Sequence, residues 1–530
     1  MGLTLLDPKM LAPIPAAGIV YTPVAPTAPE RPLSAKLQET VSLQADFGAS
    51  LDGTTDDLPA WNRFVAWAND RGGGVSVNVP AGRSKLSAPV DPIIAPDVYV
   101  MGAGASATKL LPAGGAALTW GSDAAAQVVG GGIEGLGFEY SAPPSTSLCL
   151  HLKNCTRLWF DDIEFTRARC IASIGTATKP AALVSFSNLR GSLANVDAPA
   201  LDLINGAGLF VDDQTSLYVD GVGMPVHPAP MTTTPGRDFL RAVAGNWDTI
   251  SIGGSLFERF DRGVVLAPVS GGAVVNNVWL DGTKFDYCRS YGLRSAPGAG
   301  CTVFGVHAVG GAWFMAWEGN AVSFDGTGTN WSHVINGARL FLSGDAALVI
   351  GTAARHIKVT GCDIYAANRK GLGASSVVLS GEDCTLVGNE IGYDTSAVGL
   401  PYQGTYGVAI AADLATYTVA GNSVRGSLGA FQIGDNAAPS IHRRVASNSG
   451  DNYVGPAAGG LFTTPDSGTA WINTTPHRVE VHVYGGTVTG WSKNGTNIAG
   501  KTSGTLTLDP GEQLVLTYSS APSVTFFRLG

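Results

Sequence analysis

The sequence predicts an all-β solenoid, a chain wound into parallel rungs that stack along one axis. Three observations predict it. The 530 residues include 70 Gly and only 14% charged side chains, about twice the Gly share and half the charge of an average globular protein, which suits buried strands joined by tight turns. One apolar position recurs at rung-like intervals through the second half of the chain. Near the N-terminus an amphipathic helix runs straight into an alternating strand, as the start of such a stack requires.

Residues 1–40 come first. Pro8, Pro13, Pro15, Pro23, Pro26, Pro29 and Pro32 disfavour both helix and central strand, so an extended arm is expected. Next, "VSLQADFGASLDGTTDDLPAWNRFVAW" gathers Asp46, Asp52, Asp56 and Asp57. Pro59 suits a first helical turn, Asp57 or a neighbour can cap it, and Trp61, Phe64, Val65 and Ala68 follow the i, i+3, i+4, i+7 pattern. The acids are therefore expected to start a helix. A helix-loop-helix calcium site needs acids at alternating positions and a closing Glu, which this stretch lacks. The helix should end at "NDRGGG", and Val75, Val77 and Val79 then alternate as in a strand.

The run "DFGASLDGTTDDLPAWNRFVAWANDRGGGVSVNVPAG" resembles the opening motif of the pectate-lyase-like superfamily, found in bacteriophage tailspikes and polygalacturonase-related enzymes. The resemblance implies a right-handed, single-stranded parallel β-helix whose N-terminal end is capped by this helix, with the Gly-rich turn leading into the first rung. The motif is specific for fold and weak for chemistry. Family members often place an aromatic residue after "VPAG", whereas "RSKLSAPV" follows here.

The chain's own periodicity supports the same fold. Phe257, Phe285, Phe314, Leu340, Ile364, Ile391 and Val424 head similar segments and are separated by 28, 29, 26, 24, 27 and 33 residues, the period of a solenoid rung. Asn389, Asn422 and Asn448 recur in one turn, where stacked side chains can hydrogen-bond as a ladder. After residue 455 the pattern shifts to short alternating strands such as "HRVEVHVYGG" and "EQLVLTYSS", with turns at "NG" and "DPGE". Residues 456–530 are therefore expected to form a β-sandwich, similar to modules that end phage tail proteins and help trimer assembly or carbohydrate contact. The β-helix itself should span residues 41–455.

Several function classes lack support. A net charge of −9 with no basic run argues against a nucleic-acid partner. No apolar window has the length of a membrane span, and the N-terminus lacks the basic and apolar regions of a secretory signal. The seven Cys are scattered without metal-ligand spacing and are expected to be buried thiols. No nucleophile elbow, zinc-protease motif or phosphate loop is present. No cofactor is expected, and nothing specifies a calcium site.

Site candidates come from the rung register. Equivalent positions on adjacent rungs stack about 4.8 Å apart. The position after the apolar marker runs Glu258, Asp286, Met315, Phe341, Tyr365, and the one before it Leu256, Lys284, Trp313, Arg339, Asp363, Glu390. Trp313, Trp317 and Trp331 offer flat faces for sugar rings, and Asp261 adds a further acid. Glu258, Asp286 and Glu318 are the candidate catalytic acids; Arg259, Tyr287, Lys284, Asp261 and the three Trp residues are candidate substrate contacts. Glycoside hydrolysis needs two carboxyl groups, about 5–5.5 Å apart for retention and about 6.5–9.5 Å for inversion. Glu258 and Asp286, one rung apart, suit the first; Glu258 and Glu318, two rungs apart, suit the second. Tailspike-like hydrolases commonly use widely spaced acids, which favours including Glu318. A lyase would instead draw on Lys284, Arg259 and Tyr287. Should this face be silent, Asp162, Glu164 or Asp363 in an intersubunit groove become the candidates.

The resemblance thus implies a homotrimeric tailspike in the virion tail that attaches through its arm and binds and depolymerises a bacterial surface polysaccharide. The alternatives are a binding-only tail adhesin and a bacterial polysaccharide-degrading enzyme, the latter weakened by the missing signal.

Overall fold

The computed structural model describes residues 40–530 except 143–144, 213–214, 224–228, 270, 393–404, 425–432, 438–441, 447, 449–452, 455–463, 474–477, 499 and 530. Of the expected arm it describes only the antiparallel pair Val20–Tyr21 and Arg31–Pro32, with Thr40; its remaining residues lie outside the described residues. Two compact units, Met1–Gly191 and Ser192–Gly530, make up the chain.

In the first unit, Leu58–Arg71 is the one α-helix among the described residues. Its buried face is Ala60, Trp61, Phe64, Val65 and Ala68, the face that the sequence spacing marks. Trp61 donates its Nε1–H to Ser84 Oγ at 3.0 Å, fixing the helix on the strand Gly82–Leu86. The helix ends because Gly72 turns left-handed at φ +81°, and the N–H groups of Gly72 and Gly73 close the carbonyls of Asn69 and Ala68. At Gly73 a side chain is impossible, since a Cβ would sit 1.9 Å from the Pro96 carbonyl oxygen.

All four clustered acids build local structure. Asp57 stands at the N-cap, yet its carboxylate reaches back to the N–H groups of Ser50 and Leu51 at 2.6 and 3.2 Å. Asp56 accepts from the Leu58 N–H and also from Ser87. Asp52 accepts from the backbone of Thr55 and Thr54, which holds its carboxyl well below the usual range. Asp46 takes the Ser42 N–H.

Three stacks of parallel strands continue this unit. One runs Thr40–Ser42, Val75–Val79, Val98–Gly102, Gly131–Glu139 and Cys155–Ala168. A second joins Asp52–Asp56, Gly82–Leu86 and Thr108–Pro112, and a third joins Ala116–Trp120, Leu148–Leu152 and Ala172–Ile174.

The second unit repeats the three-sided plan with a stricter period. The expected marker residues pair one to the next: Phe257 with Phe285, then Phe314, Leu340, Ile364, Ile391 and Val424. All seven side chains are fully buried. The Phe257, Phe285 and Phe314 rings, one from each of three successive rungs, stack in the interior at 5.2 and 5.8 Å between centroids. The Asn ladder forms as the sequence predicts. Asn389 donates both its N–H and its side-chain N–H to Asn422 Oδ1, and Asn422 does the same to Asn448 Oδ1, at 2.9–3.0 Å. Each amide also donates to a strand carbonyl, so these buried polar groups are satisfied.

The chain's last described strands form two antiparallel sheets, Ala470–Ile472, Gln513–Ser520, Thr487–Lys493 and Thr496–Asn497 against Gly504–Leu508, Arg478–Tyr484 and Ser523–Leu529. Val479, Val481, Trp491, Leu514, Leu516 and Phe526 form the core between them, which makes this the expected β-sandwich. All seven Cys are buried and none is in a disulfide; burial alone pushes the Cys155 thiol up to about 12.

Candidate functional site

The strands Leu256–Glu258 and Lys284–Cys288 lie side by side, and Glu258 is paired in register with Asp286. Both face away from the core, because Phe257 and Phe285 between them point inward. The residue after each acid, Arg259 at φ +66° and Tyr287 at φ +50°, is left-handed, so the chain turns its corner directly past each carboxylate. The Arg259 N–H donates to the Asp286 carbonyl at 3.0 Å, locking the two corners together. Burial first, and the neighbouring Glu258 charge second, raise the Asp286 carboxyl to about 6. Tyr287 is also raised, by burial and then by the charges of Asp286 and Glu258.

Cations and rings flank the pair. Tyr218 pairs with Glu258 on the preceding rung and is exposed, with the Arg259 guanidinium 5.8 Å from its ring. The neighbouring row reads Leu256, Lys284, Trp313, Arg339, Asp363, Glu390 in unbroken register. Lys284 and Arg339 lie 5.6 and 6.0 Å from the Trp313 ring, and Arg339 also meets Asp363 at 3.3 Å. The row after the marker departs from expectation. A bulge between Phe285 and Cys288 breaks the register past Asp286, and Met315 and Phe341 are buried rather than walls of an open face. Phe341 instead packs under Trp313 at 4.8 Å and stacks on Tyr365 at 5.3 Å.

Three candidates belong to a hydrogen-bonded network, in which the Trp317 ring lies 6.4 Å from that of Tyr287. Glu318 lies in the turn after Trp313–Ala316. Its carboxylate accepts the Met231 N–H at 2.7 Å and meets Arg289 Nε at 3.3 Å. Trp317 is buried, donates to the Ala229 carbonyl at 3.0 Å, and carries the Arg369 guanidinium 3.1 Å from its ring centroid. Asp261 is buried and accepts from the Gly236 N–H and Ser290 Oγ. Trp331 lies on another side of the rung, in the strand Thr329–Trp331 paired with Thr302–Val309. There it follows exposed Phe304 in register and stacks on His356 at 5.4 Å.

Sequence reasoning missed Tyr218, whose row position precedes the regular repeat, and the segment around Met231, whose contacts have no periodicity. Exposed Trp279, stacked on His307 at 4.1 Å, could have been found, since His307 follows it by one rung. Buried His333 accepts the Val306 N–H through Nδ1 and has a structural part. Among the alternative acids, Asp162 meets Arg190, and Glu164 meets Lys109 and Arg190.

No protein-family model matches the sequence, and no curated protein matches it either. Solved structures do. Tailspike protein 3 of bacteriophage CBA120 matches with a TM-score of 0.52 at 14% identity, over 87% of this chain and 70% of that one. A point mutant of the tailspike protein of E. coli bacteriophage HK620, in complex with a pentasaccharide, matches at 0.51 and 12% identity, over 97% of this chain and 96% of that one. An Azotobacter vinelandii mannuronan C-5 epimerase A-module, AlgE6, matches at 0.43 and 15% identity, over 78% of this chain and all of that one. With the rung register, the two tailspike likenesses establish that the chain has a parallel β-helix fold.

Proposed function

We propose that this chain is a tailspike-like protein that binds a bacterial surface polysaccharide and hydrolyses it at Glu258 and Asp286. The observation that carries the reading is this in-register pair of carboxylates on adjacent rungs, one of them raised to about 6. Glycoside hydrolysis needs one carboxyl group that holds a proton near neutrality and one that stays ionised. Asp286 has the environment of the acid, and Glu258, in register with it on the adjacent strand, takes the part of the nucleophile. Strands about 4.8 Å apart fit the closer carboxyl spacing, about 5–5.5 Å, that gives retention. Trp313, with Lys284 and Arg339 around it, supplies a stacking face next to the pair. A lyase base at Tyr287 is disfavoured, because its surroundings raise the phenol and so hold it protonated.

The same reading assigns residues 1–40 to particle attachment, makes the assembly a homotrimer and places it in the virion tail. The fold shared with an HK620 tailspike solved with a bound pentasaccharide supports it. The test is reducing-end release from a panel of bacterial capsular and lipopolysaccharide glycans. Glu258→Gln and Asp286→Asn should each lower turnover by about 10³-fold or more while leaving glycan binding intact. Near-native turnover in both variants would sink the proposal.

A further inference from the structure

Residues 229–236, ahead of the strand Asp238–Ala242, carry Pro230 and Pro235; such a segment is stiff but cannot build a strand ladder of its own. Side chains of later rungs hold it instead. Trp317 Nε1–H donates to the Ala229 carbonyl at 3.0 Å, the Met231 N–H donates to Glu318 Oε1 at 2.7 Å, and the Gly236 N–H donates to Asp261 Oδ2 at 2.7 Å. Arg289 joins two of these anchors, 3.3 Å from Glu318 and 3.9 Å from Asp261. Met231 is buried beneath the segment. On its inner side, Thr233 Oγ1–H donates to the Arg259 carbonyl at 2.9 Å, so the held segment bears on the corner that directly follows Glu258.

We propose that Glu318 is a positioning residue, which with Arg289 and Asp261 clamps residues 229–236 against the Arg259 corner and so fixes the wall of the groove beside the carboxylate pair. The inference rests on the Glu258–Asp286 reading for its effect on turnover, but the clamp itself is independent of that reading. Glu318 acts through the segment and not on the glycosidic bond. Its substitution therefore weakens substrate binding more than the bond-breaking step.

Two variants and two readouts test this on the full chain. Glu318→Gln keeps an oxygen for the Met231 N–H, whereas Glu318→Ala removes it. Hydrogen exchange should show the Met231 amide protected in wild type and in Glu318→Gln, and exchanging about tenfold or more faster in Glu318→Ala. On a glycan that wild type cleaves, Glu318→Ala should raise KM about tenfold with kcat within about threefold, and Glu318→Gln should stay close to wild type. A kcat loss of orders of magnitude in Glu318→Gln would make Glu318 a catalytic acid and overturn the proposal, as would unchanged exchange in Glu318→Ala. If Glu318→Ala does not fold, Thr233→Val and Trp317→Phe each remove one donor while keeping the packing, and should speed exchange across residues 229–236. No acceleration in either refutes the clamp. If Glu258→Gln and Asp286→Asn keep full turnover, the catalytic reading fails while the exchange results still judge the clamp.

Discussion

Neutralising Asp286 should stabilise the protein at high pH and do nothing at low pH. The carboxyl is raised from 3.8 to about 6, a gap of about two units that corresponds to about 3 kcal/mol as an upper bound. Asp286 is only half-buried, and solvent screening reduces this to about 1–2 kcal/mol. The sign follows from proton uptake. Between 3.8 and about 6 the folded protein holds a proton that the unfolded chain has lost, so stability falls as pH rises through that window and stays lower above it. Repulsion from Glu258 accounts for part of the cost. Two unit charges about 5 Å apart repel by about 1 kcal/mol in water and about 3 kcal/mol at an effective dielectric constant of about 20. Burial, the larger cause, remains when that charge is removed. Thermal midpoints at fixed scan rate, measured at pH 3.5 and pH 8, should rise at pH 8 for Asp286→Asn and by less for Glu258→Gln. The double variant should gain less than the sum, since either substitution alone ends the repulsion. Loss of stability in Asp286→Asn at pH 8, or an equal effect at both pH values, would refute the reasoning.

Other substitutions test the scaffold. Asn422→Ala strips the ladder of its middle member and leaves the Asn389 donors without their acceptor; it should cost about 2–4 kcal/mol and speed amide exchange at Asn389. Phe285→Ala opens the centre of a three-ring stack and should cost about 3–5 kcal/mol in denaturant unfolding. Arg262→Ala leaves Asp238, fully buried and held by two bonds at 2.6 and 2.8 Å, as an unpaired charge; the cost should be about 3–5 kcal/mol near neutrality and shrink in acid, where Asp238, raised to about 6 by burial, takes up a proton. Light scattering at micromolar concentration should give three times the chain mass, and a monomer would remove the trimer from the account.

The fold was legible where one residue per rung must do the same work. The marker row from Phe257 to Val424 enters the core in each rung, and the Asn ladder keeps a constant offset from it, so both leave a period in the sequence. Glu258 and Asp286 could be placed together because they inherit that register. Legibility ends where contacts leave the period. Trp317 and Trp331 are 14 residues apart in sequence, about half a rung, which puts them on different sides of the solenoid. Glu318 meets Met231 across 87 positions, and a bulge after Phe285 shifts the register past Asp286. Neither a segment held by side chains of later rungs nor a one-residue slip changes the hydrophobic pattern, so neither can be read from it.

The central claim is that Glu258 and Asp286, on adjacent rungs, carry out the bond cleavage. The most direct measurement is proton NMR of the anomeric signal at the new reducing end, recorded in the first minutes of polysaccharide cleavage before mutarotation. The account predicts a product that retains the configuration of the cleaved linkage, and no such signal from Glu258→Gln. An inverted anomer, or an unsaturated sugar in place of a hydrolytic end, would contradict it.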